Sequence, residues 1–100
     1  MPLKSGQVSA AGNNTVVTPA AGRRLRVHYL SYNPTEATVE AAFRFGTSGE
    51  LFLRNKVTAN SVIAKEFGNR RPLEGPAGQA LVLNLDTATP VNWNAIYVEL

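Results

Sequence analysis

The stretch Arg24-Leu-Arg-Val-His-Tyr-Leu-Ser-Tyr32 decides the fold class, because its apolar residues recur at every second position. In an extended strand, Leu25, Val27 and Tyr29 point to one face. Tyr32 points to the other face, together with the arginines. The alternation predicts a β-strand that turns one face to the core and a polar face away from it.

Segments with the same period lie on both sides of this strand, and Gly, Pro and Asn residues separate them. The strongest are Thr38–Phe45, Ala80–Leu85 and Val91–Val98, and weaker candidates are Ser5–Gly12, Thr15–Thr18, Glu50–Arg54 and Ser61–Phe67. About seven or eight short strands predict an all-β fold, an antiparallel β-sandwich of jelly-roll-like type. A small β-barrel is the alternative.

Two turn signals suggest how neighbouring strands connect. Asn13-Asn14 predicts a turn before the strand at Thr15–Thr18. The loop Gly46-Thr-Ser-Gly49 predicts a hairpin between Thr38–Phe45 and Glu50–Arg54.

The last predicted strand, Val91–Val98, is apolar on both of its faces. Trp93 lies on one face, where it is expected to fill the core, and Ile96, Val98 and Leu100 lie on the other. Two apolar faces indicate a central position in a sheet, or a face that another chain covers.

Composition limits the class of protein. A chain of 100 residues with 44% hydrophobic residues predicts a single globular domain, residues 1–100. Within it, residues 1–19 are a candidate N-terminal arm or edge strand used in attachment. Without cysteine, the chain has no disulfides and no thiolate chemistry. Neither a signal peptide nor a membrane span is expected from its hydropathy pattern, which predicts synthesis in the cytoplasm.

Groups that could support catalysis are few. His28 is the single histidine, and it is expected to be a surface or half-buried strand residue. The acidic residues are scattered singly, so the sequence predicts no metal site, and Asp86 is expected to accept hydrogen bonds after its strand. We therefore expect no enzyme activity, no catalytic residues and no cofactor.

The arginine cluster near position 24 allows a third class of function, a barrel that binds single-stranded nucleic acid. Arg23, Arg24 and Arg26 supply positive charge, and Tyr32 is the one aromatic residue expected beside them. A single aromatic side chain is a poor stacking platform, and the net charge is only +3. Specific nucleic-acid binding is therefore the less favoured alternative.

Three segments resemble a known group, the small virion proteins of tailed bacteriophages. The segment 8–27 resembles their Gly-Asn/Thr-Thr-Val-Val strand followed by a Gly-Lys/Arg-Arg-Ile/Leu-Arg-Val strand. Residues 72–85 are similar to their Gly-rich turn and Leu-x-Leu-Asn-Leu strand, and residues 91–98 are similar to their closing strand. The resemblance carries no catalytic residues.

The resemblance implies a non-enzymatic capsid decoration or cement protein that binds the major capsid protein on the outside of the phage head. It also implies a homo-oligomer, with a trimer favoured, located on the virion after synthesis in the bacterial host cytoplasm. Attachment is expected through the segment Ser5–Pro19, the loop Arg70–Gly78, or both. The candidate interface residues are Val16, Val17, Arg23, Arg24, Arg70, Arg71, Leu73, Ile96, Val98 and Leu100.

A role in the phage tail is the other alternative within the virion. In that case the domain is a fibre, collar or adhesion module that binds host glycans, and exposed aromatic side chains such as Tyr32 and Phe52 serve as the contacts.

Overall fold

Nine β-strands and the loops between them make up the computed structural model, which describes residues 3–67 and 73–100; no helix occurs in this part of the chain. The strands are β1 (Leu3–Val8), β2 (Gly12–Val17), β3 (Leu25–Pro34), β4 (Val39–Phe45), β5 (Phe52–Val57), β6 (Ile63–Glu66), β7 (Leu73–Glu74), β8 (Leu81–Leu85) and β9 (Val91–Glu99). The all-β prediction is confirmed.

The strands form two antiparallel sheets. Sheet A has the order β1-β9-β3-β6, with β7 also paired to β3, and sheet B has the order β2-β8-β4-β5. A single long antiparallel hairpin would contain four of these pairs: β1–β9, β2–β8, β3–β6 and β4–β5. Two further pairs, β9–β3 and β8–β4, form when that hairpin is rolled up. This is jelly-roll topology, so the sandwich prediction is confirmed and the small barrel is not observed.

The core lies between the inward faces of the two sheets. Leu81, Leu83 and Leu85 of β8 belong to the same buried cluster as Val91, Trp93 and Ala95 of β9. The Tyr32 and Phe43 rings pack edge to face with their centroids 5.7 Å apart. Burial of these large apolar side chains supplies most of the driving force for folding.

A β-bulge in β3 changes the faces that the sequence predicted. Val27 pairs with Tyr97, but Tyr29 pairs with Ile96, so His28 is an extra residue in β3. One extra residue moves every following side chain to the opposite face. The prediction that Tyr29 faces the core and Tyr32 lies with the arginines is therefore wrong: Tyr32 is fully buried and Tyr29 faces outward.

The predicted hairpin is confirmed, because β4 and β5 pair antiparallel across the loop at residues 46–51. The prediction of a turn at Asn13-Asn14 is wrong, since both residues lie within β2 and pair with β8. In β8, Asn84 donates a hydrogen bond from Nδ2 to Asn13 Oδ1 over 2.8 Å. The asparagines are outward or half-buried strand residues, and the chain reverses before them.

Two glycines permit close approaches that hold the sandwich together. A Cβ at Gly6 of β1 would lie 3.1 Å from Trp93, so the absence of a side chain lets the β1 backbone rest on the indole. A Cβ at Gly75 would lie 2.4 Å from the Phe45 ring, which places the loop before β8 directly against β4. Trp93 itself is 5% exposed, in agreement with its predicted place in the core.

Candidate interaction surfaces

One end of the sandwich gathers several of the residues that the sequence marked for attachment. We call it the arginine end and define it as Arg23, Arg24, the loop 75–78 and Leu100. The Gly78 amide donates to the Arg23 carbonyl over 2.8 Å, and Arg24 and Leu100 exchange two backbone hydrogen bonds of 2.8 and 3.2 Å. Backbone pairing thus fixes this end while both arginine side chains remain exposed.

The charges at this end are unevenly balanced. Arg26, on the adjacent part of β3, makes a salt bridge of 3.2 Å with Glu74. The other ion pair of the described residues, Arg54–Glu40, lies on sheet B. Glu99, next to Leu100, is exposed, and its Oε1 accepts a hydrogen bond of 3.1 Å from the Ala20 amide. The arginine end therefore presents two cationic side chains, Arg23 and Arg24, beside one carboxylate.

The described residues also correct the predicted interface. The side chains of Val16 and Val17 pack in the hydrophobic core and are 3% and 2% exposed, so they are not available to a partner. A β-bulge between Thr15 and Val17 turns both valines inward. Leu73 pairs with Val27 through β7 and packs against the core, half-buried.

The remaining predicted contact residues divide into two groups. Ile96 and Val98 are half-buried on the outward face of β9, and Leu100 beyond them is 40% exposed. Arg70 and Arg71 lie outside the described residues. The structure thus places Ile96 and Val98 beside the arginine end, along the middle of sheet A.

Part of the outward face of sheet A forms a second surface, which we call the neutral face. Its strands are β1, β9 and the part of β3 that follows the bulge. Strand pairing aligns nine of its side chains in three rows across the sheet: Gln7–Asn92–Asn33, Ser5–Asn94–Ser31 and Leu3–Ile96–Tyr29. Val98 of β9 is a tenth outward position. None of these side chains is charged, but charged residues border them on the same face: Glu66 of β6 pairs beside Tyr29, and Arg26 of β3 pairs beside Val98 and with Glu74. Charge depletion is a property of the centres of protein interfaces.

Hydrogen bonds within the neutral face hold the polar rows in place. Gln7 Nε2 donates to Asn92 Oδ1 over 3.1 Å, and Asn94 Nδ2 donates to Ser31 Oγ over 3.2 Å. The apolar row begins at Leu3, which is 65% exposed. The surface therefore combines ordered amide and hydroxyl groups with an exposed hydrophobic row.

The outward face of sheet B has the opposite character. Glu40, Arg44, Arg54 and Lys56 all lie on it. A shallow depression of about 90 Å³ is lined in part by Glu40, Arg54 and Asp86. Sheet B thus carries charge across its outward face, whereas the charged residues Arg26, Glu66 and Glu74 of sheet A lie at the margin of the neutral face.

The carboxylates in this depression take part in structural contacts. Asp86 Oδ1 accepts a hydrogen bond of 2.9 Å from the Glu40 amide, and the Asp86 amide donates to the Glu40 carbonyl over 3.0 Å. Glu40 Oε1 accepts from Arg54 Nε. The prediction that Asp86 accepts a hydrogen bond is confirmed, although the donor lies on β4.

Within residues 3–67 and 73–100, no group of three or more His, Asp or Glu side chains is placed to hold a metal ion. A helix long and apolar enough to cross a membrane is likewise missing from these residues.

Two aromatic side chains that the sequence offered as ligand contacts serve packing instead. The Tyr32 hydroxyl lies 2.8 Å from the Leu53 carbonyl oxygen and 3.1 Å from the Ala41 carbonyl oxygen, and burial raises the pKa of this tyrosine. The Phe52 ring lies 6.2 Å from the Phe43 ring and 5.7 Å from the Phe45 ring. Neither side chain lies on an exposed stacking surface.

The sequence reasoning missed Leu3, Tyr29, Asn92 and Asn94 as surface residues of interest. The sequence of β9 did indicate that its asparagines face outward, because Asn92 and Asn94 alternate with Val91 and Trp93. Alternate positions of a strand with a buried tryptophan must face the other way. The bulge at His28 concealed the corresponding signal for Tyr29.

The fold defines a class, that of jelly-roll β-sandwich proteins. The chain is similar to a chain of the virus-like particle of the extra small virus of the giant freshwater prawn Macrobrachium rosenbergii, with a TM-score of 0.50, 8% identity, and coverage of 98% of this chain and 78% of that one. It is also similar to a de novo designed double-stranded β-helix, with a TM-score of 0.40, 13% identity, and coverage of 98% and 100%. No protein-family model and no curated protein matches the chain.

Proposed function

We propose that this chain is a non-enzymatic virion structural protein, a capsid decoration or cement protein of a tailed bacteriophage. It binds the major capsid protein on the outside of the head and stabilises contacts between capsid subunits. The protein is made in the cytoplasm of the bacterial host and then joins the particle.

The observation that carries this proposal is the jelly-roll fold, which the chain has in common with a protein of a virus-like particle along nearly its whole length. Jelly rolls are recurrent folds of viral capsid proteins, but they also occur in lectins and cupins. The resemblance of residues 8–27, 72–85 and 91–98 to phage virion proteins selects the virion role among these functions.

We assign attachment to the arginine end. Arg23 and Arg24 are exposed there, and the loop 75–78 lies beside them. Of the two segments named for attachment from the sequence, this end contains part of the loop Arg70–Gly78, whereas the segment Ser5–Pro19 lies outside it. An acidic region on the capsid surface would complement this end and speed association.

The competing functions receive less support from the described residues. Tail adhesion and nucleic-acid binding both relied on Tyr32 as an exposed aromatic contact, and Tyr32 is buried in the core. Phe52 packs between other phenylalanines. No specific observation therefore favours either alternative over attachment to the head.

A binding titration tests the proposal. Purified protein is added to phage heads that lack it, and the bound protein is measured after the particles are pelleted. We expect saturable binding, and the charge reversal Arg24→Glu should weaken it by about tenfold or more, because it replaces attraction with repulsion.

The matched control is Lys56→Glu, an equal change of charge at an exposed position on sheet B. We expect its affinity to stay within about twofold of the unchanged protein, apart from the general effect of net charge. Absence of saturable binding to heads would refute the proposed function. Equal losses for both variants would refute the assignment to the arginine end.

A further inference from the structure

We infer that the neutral face is a contact surface for a second copy of this chain, which packs on it face to face about a two-fold axis. The inference concerns the outward side chains of β1, β9 and β3, none of which is part of the arginine end. It is independent of the proposed function, because the contact can form without a capsid.

Charge first points to a copy of the same chain as the occupant. The chain has a net charge of +3, so two copies repel each other wherever their charged surfaces meet. The neutral face is the part of the sandwich surface where ten aligned outward positions carry no charge. A charged partner would find complementary groups only at the margin of this face, at Arg26 and Glu66, whereas the centres of two neutral faces meet without repulsion.

Hydrogen-bonding chemistry supports the same occupant. In a two-fold contact, residues near the axis face their own images. Asn92, Asn94 and Gln7 each carry both a donor and an acceptor in the side chain, so each can pair with its own image. Lysine or glutamate at these positions could not do so.

The apolar row adds hydrophobic area to this contact. In the described residues, the large hydrophobic side chains with high exposure are Leu3, Val62 and Leu100. Of these, Leu3 lies on the neutral face, in the apolar row beside Ile96. Covering this row removes apolar surface from water, which favours association.

The free edges of the sheets are poorly suited to self-association. Lys4 on the edge strand β1 points to the core side of the sheet, and inward-pointing charge on an edge strand opposes pairing with another strand. In sheet B, the edge strand β5 is bulged at Leu53, which has φ 53°, and carries Arg54 and Lys56. These two edges therefore oppose strand pairing between copies, which leaves contact through a face as an alternative.

The size of the neutral face sets the strength of the contact. Three strands about 4.8 Å apart, with outward residues about 6.7 Å apart along each strand, give an area of ~400 Å² per copy. A stable interface buries about 800 Å² per partner. The dimer should therefore be weak and should depend on protein concentration.

The first test is the mass of the purified chain by sedimentation equilibrium, from about 10 µM to 1 mM. We expect the mass to rise from 10.8 kDa toward twice that value, as for a monomer–dimer equilibrium. A monomer at every concentration would overturn the inference. A monomer–trimer equilibrium, which the resemblance to phage proteins implies, would overturn it as well.

Matched variants identify the surface. Leu3→Glu and Val62→Glu place the same charge at apolar positions that are 65% and 62% exposed, and only the first lies on the neutral face. We expect Leu3→Glu to weaken dimerisation by about tenfold or more, and Val62→Glu to change it by less than about twofold.

A second matched pair avoids any change of side-chain size. Asn94 and Asn84 each donate a side-chain hydrogen bond across the outward face of a sheet, to Ser31 and to Asn13. Asn94→Asp should dissociate the dimer because two like charges then face each other, whereas Asn84→Asp on sheet B should not. Equal effects within either pair would show that the neutral face is not the contact surface.

Discussion

Tyr32 shows at the scale of a single residue what the sequence could and could not reveal. Its size and its place in an apolar strand predicted a β-strand residue, and this is correct. Its face was predicted wrongly, because alternation was extended through His28, where β3 contains an extra residue. A bulge has no fixed sequence signature, and it depends on pairing with β9, which the local sequence does not contain.

The buried hydroxyl of Tyr32 should contribute measurably to stability. Tyr32→Phe leaves the carbonyls of Leu53 and Ala41 without this donor, so we expect the free energy of unfolding to fall by about 1–2 kcal/mol. Urea denaturation measures the change. Tyr29→Phe, on the outward face, is the control and should cost less than about 0.5 kcal/mol. A smaller loss for Tyr32→Phe than for Tyr29→Phe would show that the hydroxyl is not held in the core.

The same residue predicts a pH dependence. Burial raises the pKa of folded Tyr32 above its ordinary value of 10.0, so the folded state keeps a proton that the unfolded state loses. The contribution of this retained proton to the free energy of unfolding is complete below about pH 10 and decreases as the pH rises through the folded pKa.

We therefore expect the difference in unfolding free energy between the unchanged protein and Tyr32→Phe to shrink from about pH 9 to about pH 11. Urea midpoints at both pH values measure it. Lysine and arginine titration affects both proteins equally and cancels in the comparison. A difference that stays constant or grows with pH would contradict the assignment of Tyr32 to the core.

At the scale of strands and loops, alternation located the main elements well. β3, β4, β8 and β9 all fall within or around predicted segments, because each has a long run of period two and a buried face. Two errors arise where pairing is irregular, at the bulges near Val16 and His28, and a third arises at Asn13-Asn14, which pair regularly with β8. Asparagine favours turns locally, but in β2 pairing with β8 overrides that preference.

The loop before β8 gives a prediction at this scale. Gly75→Ala would place a Cβ 2.4 Å from the Phe45 ring, so the loop and the hairpin strand β4 must move apart. We expect a loss of about 1–3 kcal/mol in the free energy of unfolding, the usual cost of overpacking.

The control for this prediction is Ala77→Ser in the same loop, at an exposed position, which should cost less than about 0.5 kcal/mol. Thermal or urea denaturation measures both variants. An unchanged unfolding midpoint for Gly75→Ala would mean that the loop does not pack closely on Phe45.

At the scale of the whole molecule, the main finding is a patch without charge on part of the outward face of sheet A. Sheet B carries Glu40, Arg44, Arg54 and Lys56, and the neutral face carries none of the charged residues. Composition gives the net charge but not its distribution, because strands distant in sequence form each face. The neutral face could be recognised only after β1, β9 and β3 were placed side by side.

The position of each strand in the whole fold also decides which of the predicted interface residues lie on the surface. The sequence selected Ile96 and Val98 because the last strand is apolar on both faces, and the structure places that strand between β1 and β3. It selected Val16 and Val17 from a resemblance alone, and their side chains belong to the core. Two-sided strand patterns thus carried more information about surfaces than the position of a segment in the chain.

The most direct test of the proposed role is to image phage heads by electron cryomicroscopy with and without the added protein. The account predicts extra density on the outer surface of the head, of a size that fits this sandwich, with the arginine end toward the capsid and sheet density facing a neighbouring copy. Density confined to the tail, or heads identical with and without the protein at saturating concentration, would contradict it.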